Sequence, residues 1–308
     1  MNKMLTKTLA GAVVLALSLA LCACGGSSSP EDALTRAQAA FADVKSMHYT
    51  IDMDMGFSAD GESMEMNTTA EADCIVDPVM MDMDMTMDMM GLFDMDLKMY
   101  VVQDGSTYTR YTGMDNGDGT MSWSKDTLDD LGDIAQYNGK ASMDIYLENG
   151  SNFKEIGAED VDGVSAVRYD GVISQDSLKS VMDTSGVLEQ YESLGLEGME
   201  DLLDEMGDLP VSIWLDPDSD LPVKYEMDMT QMMQNMMNKL LAEDEATADV
   251  GFTVDKCVIS MVCSDYNTVS NIEIPEEALN ADSYADSAQD LLTQEETEAM
   301  EEAMEEAA

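Results

Sequence analysis

Between Ile51 and Val102 the sequence alternates methionine, or another apolar residue, with aspartate or another polar residue. The clearest runs are IDMDMGF at 51–57, VMMDMDMTMDMM at 79–90 and DMDLKMYVV at 94–102. Successive side chains of a β-strand point to opposite faces of the sheet. A period of two therefore predicts strands with one methionine-rich face and one acidic face.

Turn residues separate four such runs, at Asp60-Gly61, Asp77-Pro78 and Gly91. Because short turns join neighbouring strands, the pattern predicts an antiparallel meander with a methionine-lined concave face and an acidic face toward solvent. Methionine is unbranched and adapts to irregular apolar partners, so we expect the methionines to line a ligand cavity. The predicted lining residues are Met53, Met55, Met64, Met66, Met83, Met85, Met87, Met95, Met99, Met227 and Met229.

The N-terminus has the features of a secretory signal peptide. Lys3 and Lys7 precede the apolar run LAGAVVLALSLALCAC at 9–24, which is too short for a permanent membrane span. Leu21-Cys22-Ala23-Cys24 resembles a bacterial lipobox, which implies a signal peptide at 1–23 and lipidation of Cys24. Ordinary secretion without lipid is the alternative. Residues 24–30 are then a lipidated, flexible Gly/Ser tether.

This reading predicts a protein at the extracytoplasmic face of the cell membrane, held there by a diacylglyceryl and palmitate anchor alone. The formal net charge of −50 favours solubility and is repelled by nucleic acid and by anionic lipid headgroups. We therefore expect no nucleic-acid partner, no cofactor and a monomer. The acidic tail at 282–308 has no basic residue and is predicted to be disordered or a frayed helix.

The remaining elements follow from local signals. Ser29, Pro30 and Asp32 predict a helix start with a capping box, and its apolar stripe predicts packing on the back or mouth of the sheet. Further strands are expected at 107–111, within 153–173 on both sides of a turn, at 211–215, at 223–229 and at 253–266. Helices are expected at 128–137, after Ser174, at 187–206 and at 231–241.

Other chemistries have weaker signals. Methionine sulfur is a soft ligand for Cu(I), but the methionines spread over more elements than a copper site needs, and His48 is the one histidine. The pattern S-x-x-K occurs twice, at 122–125 and 151–154, without the K-T-G that accompanies it in penicillin-binding proteins. Cys74, Cys257 and Cys263 are interpreted as small core residues. We expect no enzyme and no dedicated metal site.

Together the lipobox, the first helix, the amphipathic strands, the helical middle, the hairpin SIWLDPDSDLPVKYEMDM and the closing SDYNTVSNIEIPEEAL resemble the LolA/LppX-like lipoproteins. Within that superfamily the chain is similar to Met-rich lipoproteins of Gram-positive bacteria. The resemblance covers residues 31–281 and implies an α+β domain. In such a domain a curved antiparallel sheet, a half-barrel, wraps around helices and shelters acyl chains.

Two functions stay open at this point. The first is a lipid-anchored, non-enzymatic protein that binds or carries a lipid, a lipoglycan tail or another amphiphile in a Met-lined cavity. The alternative is a surface interaction protein, or a copper- or cation-responsive lipoprotein, whose sheet is filled by its own helices. The space left between sheet and helices distinguishes them.

Overall fold

The computed structural model of the protein describes residues 29–59, 62–88, 91, 93–128, 146–184, 206–243 and 251–283. Its first half is a helix followed by six strands: α1 Pro30–Phe41, β1 Ser46–Ala59, β2 Glu62–Val76, β3 Val79–Asp88, β4 Asp94–Asp104, β5 Thr107–Asp115 and β6 Met121–Leu128. The second half consists of a 3-10 helix Gly150–Asn152, β7 Lys154–Val161, β8 Val164–Ile173, α2 Gln175–Thr184, β9 Leu209–Leu215, β10 Pro222–Asp228, α3 Thr230–Glu243, β11 Phe252–Ser264, α4 Glu276–Leu279 and β12 Asp282–Ser283.

All twelve strands form one curved, unclosed sheet in the order β12-β6-β5-β4-β3-β2-β1-β11-β10-β9-β8-β7. Every neighbouring pair is antiparallel except β12 with β6, which is parallel. The predicted α+β fold, a curved antiparallel sheet wrapped around helices, is therefore confirmed. The Met–Asp strands β1 to β4 form a meander, and β11 joins them to the second meander, β7 to β10.

Helix α1 begins as the sequence predicts. The Ser29 hydroxyl accepts a hydrogen bond from the Asp32 N–H at 3.1 Å, and the Asp32 carboxylate accepts one from the Ser29 N–H at 3.2 Å. This capping box satisfies two backbone groups that a helix start leaves unpaired. Ala33, Leu34, Ala37 and Phe41 are buried in the same cluster as the apolar face of the sheet, so α1 covers the concave face.

The second meander is covered by aromatic rings on the same side. Tyr146 stacks on Tyr225 with ring centroids 5.7 Å apart, and Phe153 meets Tyr146 edge-on at 5.8 Å. Gly171 makes room for this packing, because a Cβ at that position would lie 2.5 Å from the Phe153 ring. This end of the core is therefore filled by the protein's own side chains, which are packed as closely as in an ordinary domain interior.

Several predicted elements extend further than expected. Strand β1 starts at Ser46 rather than at 51, and β5 runs to Asp115 rather than to 111. The sequence reading missed β6, because its run MSWSKDTL lacks the methionine alternation of its neighbours. The predicted helix at 187–206 lies outside the described residues except for Met206, and so does the predicted helix at 128–137 except for Leu128, which ends β6. The acidic tail is likewise outside them from residue 284 onward.

Candidate ligand-binding face

The strand register aligns the predicted methionines in rows across the concave face. One row runs from Met227 on β10 through Ile259, Met53 and Thr68 to Met87 and Met95 on β4. Two residues along the strands, the next row contains Tyr225, Met261, Ile51, Ala70, Met85 and Leu97. Each row continues from strand to strand without a change of face. Because strand register fixes which face a side chain occupies, the Met-rich face is continuous from β10 to β4.

One end of this face is filled, and we call it the closed half. Its residues are Met47, Tyr49, Ala72, Met81, Met83 and Val101, each at most 4% exposed. They belong to the cluster that contains the buried side of α1. The closed half is therefore ordinary core, in which methionine serves as a packing residue.

The other end is less covered, and we call it the open half. Its six members are half-buried or exposed although they lie on the core side of the sheet: Met53, Met55, Met64, Met66, Met87 and Met95. Along β3, Met81 and Met83 are each 1% exposed, whereas Met85 and Met87 are half-buried. Likewise, Met55 pairs with Met66, and Met87 pairs with Met95. The open half is thus a contiguous thioether surface that water reaches.

The predicted lining residues therefore separate into two groups. Met83 is buried in the core, and Met85, Met99, Met227 and Met229 pack against it while partly buried. The other six form the open half, where Met64 is 41% exposed. That these side chains line a cavity for a ligand stays a prediction.

A polar strip bounds the Met-rich face on β5 and β6. Arg110 lies next to buried Val101 in the register, and Asp126 lies next to Arg110, so all three share the concave side. The Arg110 Nη2 donates to Asp126 Oδ2 at 3.2 Å, whereas its buried Nε has no hydrogen-bond acceptor among the described residues. The sequence reading did not select this pair, because arginine and aspartate here interrupt the apolar alternation.

The convex face carries the aspartates, as the alternation predicts. Lys98 on β4 forms ion pairs with Asp82 and Asp84 on β3, and Lys256 donates to Asp54 at 2.6 Å. The hydrogen bond from Lys256, with a second from Asn67, lowers the pKa of Asp54 below its usual value. These acids are solvated surface groups, and their pairing with a few lysines reduces the repulsion within the sheet.

On the convex face of the second meander, Trp214 contacts two cationic side chains and one acid. Its ring lies between the Arg168 guanidinium, 4.9 Å from the ring centroid, and the Lys224 ammonium, 4.7 Å away. The indole N–H donates to Glu159 at 2.8 Å. This arrangement is a cross-strand cation–π contact, and it explains why the hairpin that carries the sequence resemblance contains a tryptophan.

The S-x-x-K pattern and the three cysteines have simple positions in the fold. Ser122 and Lys125 of one S-x-x-K pattern lie on opposite faces of β6, because they are three residues apart in a strand. Cys74, Cys257 and Cys263 are free thiols, as expected for core residues, and burial raises the pKa of Cys74 to about 11 and of Cys263 to about 12. In the described ranges, no three His, Cys, Asp or Glu side chains come together in a group that could hold a metal ion.

Comparisons with solved structures find several similar chains, all at low sequence identity. The chain is similar to the lipoprotein LppX of Mycobacterium tuberculosis, with 14% identity and a TM-score of 0.44 over 80% of this chain and 100% of that one. It is also similar to LprF of Mycobacterium bovis, with 12% identity and a TM-score of 0.41 over 80% and 96% of the two chains. LppX, which gives its name to the predicted LolA/LppX-like resemblance, is thus among the solved structures to which the chain is similar.

A third similar structure is a putative outer membrane lipoprotein-sorting protein domain from Vibrio parahaemolyticus. It has 11% identity and a TM-score of 0.23 over 82% of this chain and 98% of that one. A search of curated protein sequences gave no match. No helix in the described part of the chain is long and apolar enough to cross a membrane.

One family model matches residues 29–283, which include every described helix and strand. The match begins at the helix cap Ser29 and ends at the last residue of β12. The chain therefore belongs to the family described as "Family of unknown function (DUF6612)".

Proposed function

We propose that this protein binds a lipid or another amphiphile with its acyl chain lying along the open half. The observation that carries the proposal is the uncharged row Met53, Thr68, Met87 and Met95, which lies on the core side of the sheet and is only half-buried. Contiguous apolar surface that stays in contact with water marks binding sites in soluble domains. An acyl chain covering it would gain roughly 25 cal/mol for each Å² of apolar area removed from water.

Methionine suits this role better than a branched residue. Its side chain has three rotatable bonds and a polarisable sulfur, so a surface built from it can follow ligands of different shape. The closed half adjoins this surface as a packed floor, because its side chains and the buried side of α1 belong to one core cluster. The binding surface would therefore be adaptable at one end and fixed at the other.

The polar strip gives the ligand a second feature to match. Arg110 and Asp126 offer donors and acceptors at one border of the apolar face, where a ligand headgroup can be hydrogen-bonded. A purely apolar hydrocarbon would offer no acceptor to the buried Arg110 Nε, which has none among the described residues. The arrangement therefore favours an amphiphile over a simple hydrocarbon.

Attachment to the membrane belongs to the same proposal. Cys24 would carry a diacylglyceryl anchor on the extracytoplasmic face, and Gly25 to Ser29 would form the tether to α1. Cys24→Ala should leave the protein unprocessed or release it, whereas Cys22→Ala should still be lipidated. Finding mature, membrane-bound protein in the Cys24→Ala strain would refute the anchor.

Titration with a fluorescent, uncharged monoacylglycerol tests the binding proposal. Met87→Lys puts an ammonium in the open half and should abolish binding, because the charge must be desolvated when an acyl chain covers it. Thr86→Lys is the matched control: it places the same group one residue along, on the convex face beside Asp96. Absence of binding in the parent protein, or equal loss in both variants, would overturn the proposal.

A further inference from the structure

The open half ends in a group of large apolar side chains that are exposed or half-buried, and we call this group the rim. Its members are Phe57, Met64, Phe93, Met114 and Phe252. Phe93 is 61% exposed, Met114 47% and Met64 41%. The rings of Phe57 and Phe252 lie 5.7 Å apart and continue the rim across β1 and β11. The residues belong to five different strand ends or turns, so the exposure is not that of one isolated side chain.

These strand ends lie at one end of the sheet. Phe57 pairs with Met64, the residue Phe93 directly precedes β4, and Met114 lies near the last residue of β5. At the opposite end of strands β1 to β5, the large apolar side chain exposed among the described residues is Val76, next to the β2–β3 turn. On β1 to β5 and their turns, three of the four large apolar side chains that are exposed in the described residues therefore lie at the end where the Met-rich face opens.

The start of α1 lies at the same end of the strands. Gly150 lies against Glu31, and Asn152 of the same 3-10 helix donates to the Val172 carbonyl oxygen at 3.4 Å. The neighbouring Ile173 pairs with Leu209, the first residue of β9. Two residues along β9, Val211 pairs with Met227 on β10. Met227 belongs to the row that contains Met53 and Met87. The register thus places the start of α1 level with the open half along the strands, beside β8 and four strands across the sheet from β1.

The short tether then limits where a membrane can lie. From Cys24 to Pro30 a fully extended chain spans roughly 20 Å, at up to about 3.6 Å per residue. An anchor at Cys24 would hold the bilayer within that distance of the start of α1. The strand nearest the start of α1 is β8, which lies level with the open half in the register but on the other side of the sheet from the rim.

From these observations we infer that the rim contacts the bilayer surface, so that an amphiphile passes between the membrane and the open half without crossing water. The surface that fits is uncharged or zwitterionic, because Asp88 and Asp94 pair directly behind Phe93 and the whole chain is strongly acidic. The inference rests on the proposed function for the passage of ligand and on the anchor at Cys24 for orientation.

Tryptophan substitution in the full-length, lipidated protein tests the contact. The protein is reconstituted through its anchor into phosphatidylcholine vesicles with plain or brominated acyl chains. Phe93→Trp should show emission shifted to shorter wavelength and quenched by the brominated lipid, relative to the parent with Trp123 and Trp214. Val76→Trp is the control at the opposite end of the strands. Its added emission should have the long wavelength of a tryptophan in water and should not be quenched by the brominated lipid. Equal quenching at the two positions, or none at position 93, would overturn the inference.

A blue shift at position 93 without quenching would also overturn it, because a second copy of the chain would then cover the rim. Monoacylglycerol binding in the same samples keeps this result separate from the proposed function. Quenching without probe binding would remove the proposed function and leave the membrane contact. Probe binding without quenching would remove the membrane contact and leave the proposed function. Phe93→Ser should slow transfer of the probe from vesicles to protein while leaving its equilibrium affinity unchanged, and an unchanged transfer rate would contradict the inferred passage.

Discussion

The hydroxyl of Tyr49 on β1 donates a hydrogen bond to the sulfur of Met81 on β3, across the intervening strand β2, at a distance of 3.1 Å. Both side chains are 1% exposed. At this position a methionine is a packed core residue with a fixed partner. Farther along β3, Met87 occupies the same face and is half-buried. The same Met–Asp pattern therefore forms both the packed closed half and the half-buried open half, and the boundary between them lies on β3 between Met83 and Met87.

Two alanine substitutions on β3 measure the difference in packing between the closed half and the open half. Met83→Ala removes a side chain from the closed half and should destabilise the protein by about 2–5 kcal/mol, because it leaves a cavity in packed core. Met87→Ala, four residues along on the same face, should lower the free energy of unfolding by less than about 1 kcal/mol. Denaturant unfolding of both variants checks this. Similar large losses for the two would show that the open half is packed core.

A pair of lysine substitutions tests the faces themselves. Met85→Lys places an ammonium on the apolar face and should be destabilising by about 2 kcal/mol or more, because burial disfavours the charged form. Thr86→Lys points to the acidic face near Asp96 and should change stability by less than about 0.5 kcal/mol. Equal effects in thermal unfolding would refute the assigned faces. Asp84 is the weaker control, because it already pairs with Lys98.

Oxidation should distinguish the same two surfaces without mutation. Hydrogen peroxide converts accessible methionine to its polar sulfoxide, and the rate follows exposure. We expect Met64, Met66, Met87 and Met95 to be oxidised well before Met81 and Met83. Peptide mass spectrometry over a time course measures the order. Early oxidation of Met81 would contradict the closed half.

The sequence predicted most of this architecture because a period of two is a direct consequence of strand geometry. Strands β1 to β4, the cap of α1 and the Met-rich face all follow from it. It could not predict which methionines would be covered. Met83 and Met87 each lie between two polar residues, and their burial differs because Met83 belongs to the core cluster that contains the buried side of α1, whereas Met87 does not.

The missed features have a common physical cause. Strand β6 and the Arg110–Asp126 pair belong to the border of the sheet, where one face meets both apolar core and polar groups. Alternation weakens there, so a periodicity argument loses its signal. The clue that was available is the pairing of an arginine and an aspartate on runs of β-forming residues joined by the DNGDGT turn.

Alkaline pH should destabilise the protein partly through Cys263. Burial raises the pKa of its thiol from 9.0 to about 12, so above pH 9.0 the unfolded chain releases a proton that the folded chain keeps. The stability from this group is complete below pH 9.0 and falls as pH rises toward about 12. By pH 10 the loss should be about 1.4 kcal/mol. Cys263→Ala should reduce the drop in unfolding free energy between pH 8 and pH 10 by about that amount, and an unchanged drop would contradict the burial of the thiol.

Photo-crosslinking is the most direct test of the central claim, that an acyl chain lies along the open half. The full-length protein is equilibrated with a monoacylglycerol that carries a diazirine in its acyl chain, irradiated, digested and examined by mass spectrometry. The account predicts adducts on peptides that contain Met53, Met66, Met87 and Met95, and their loss in Met87→Lys but not in Thr86→Lys. Adducts confined to the convex face, or a yield that the unlabelled lipid does not reduce, would contradict it.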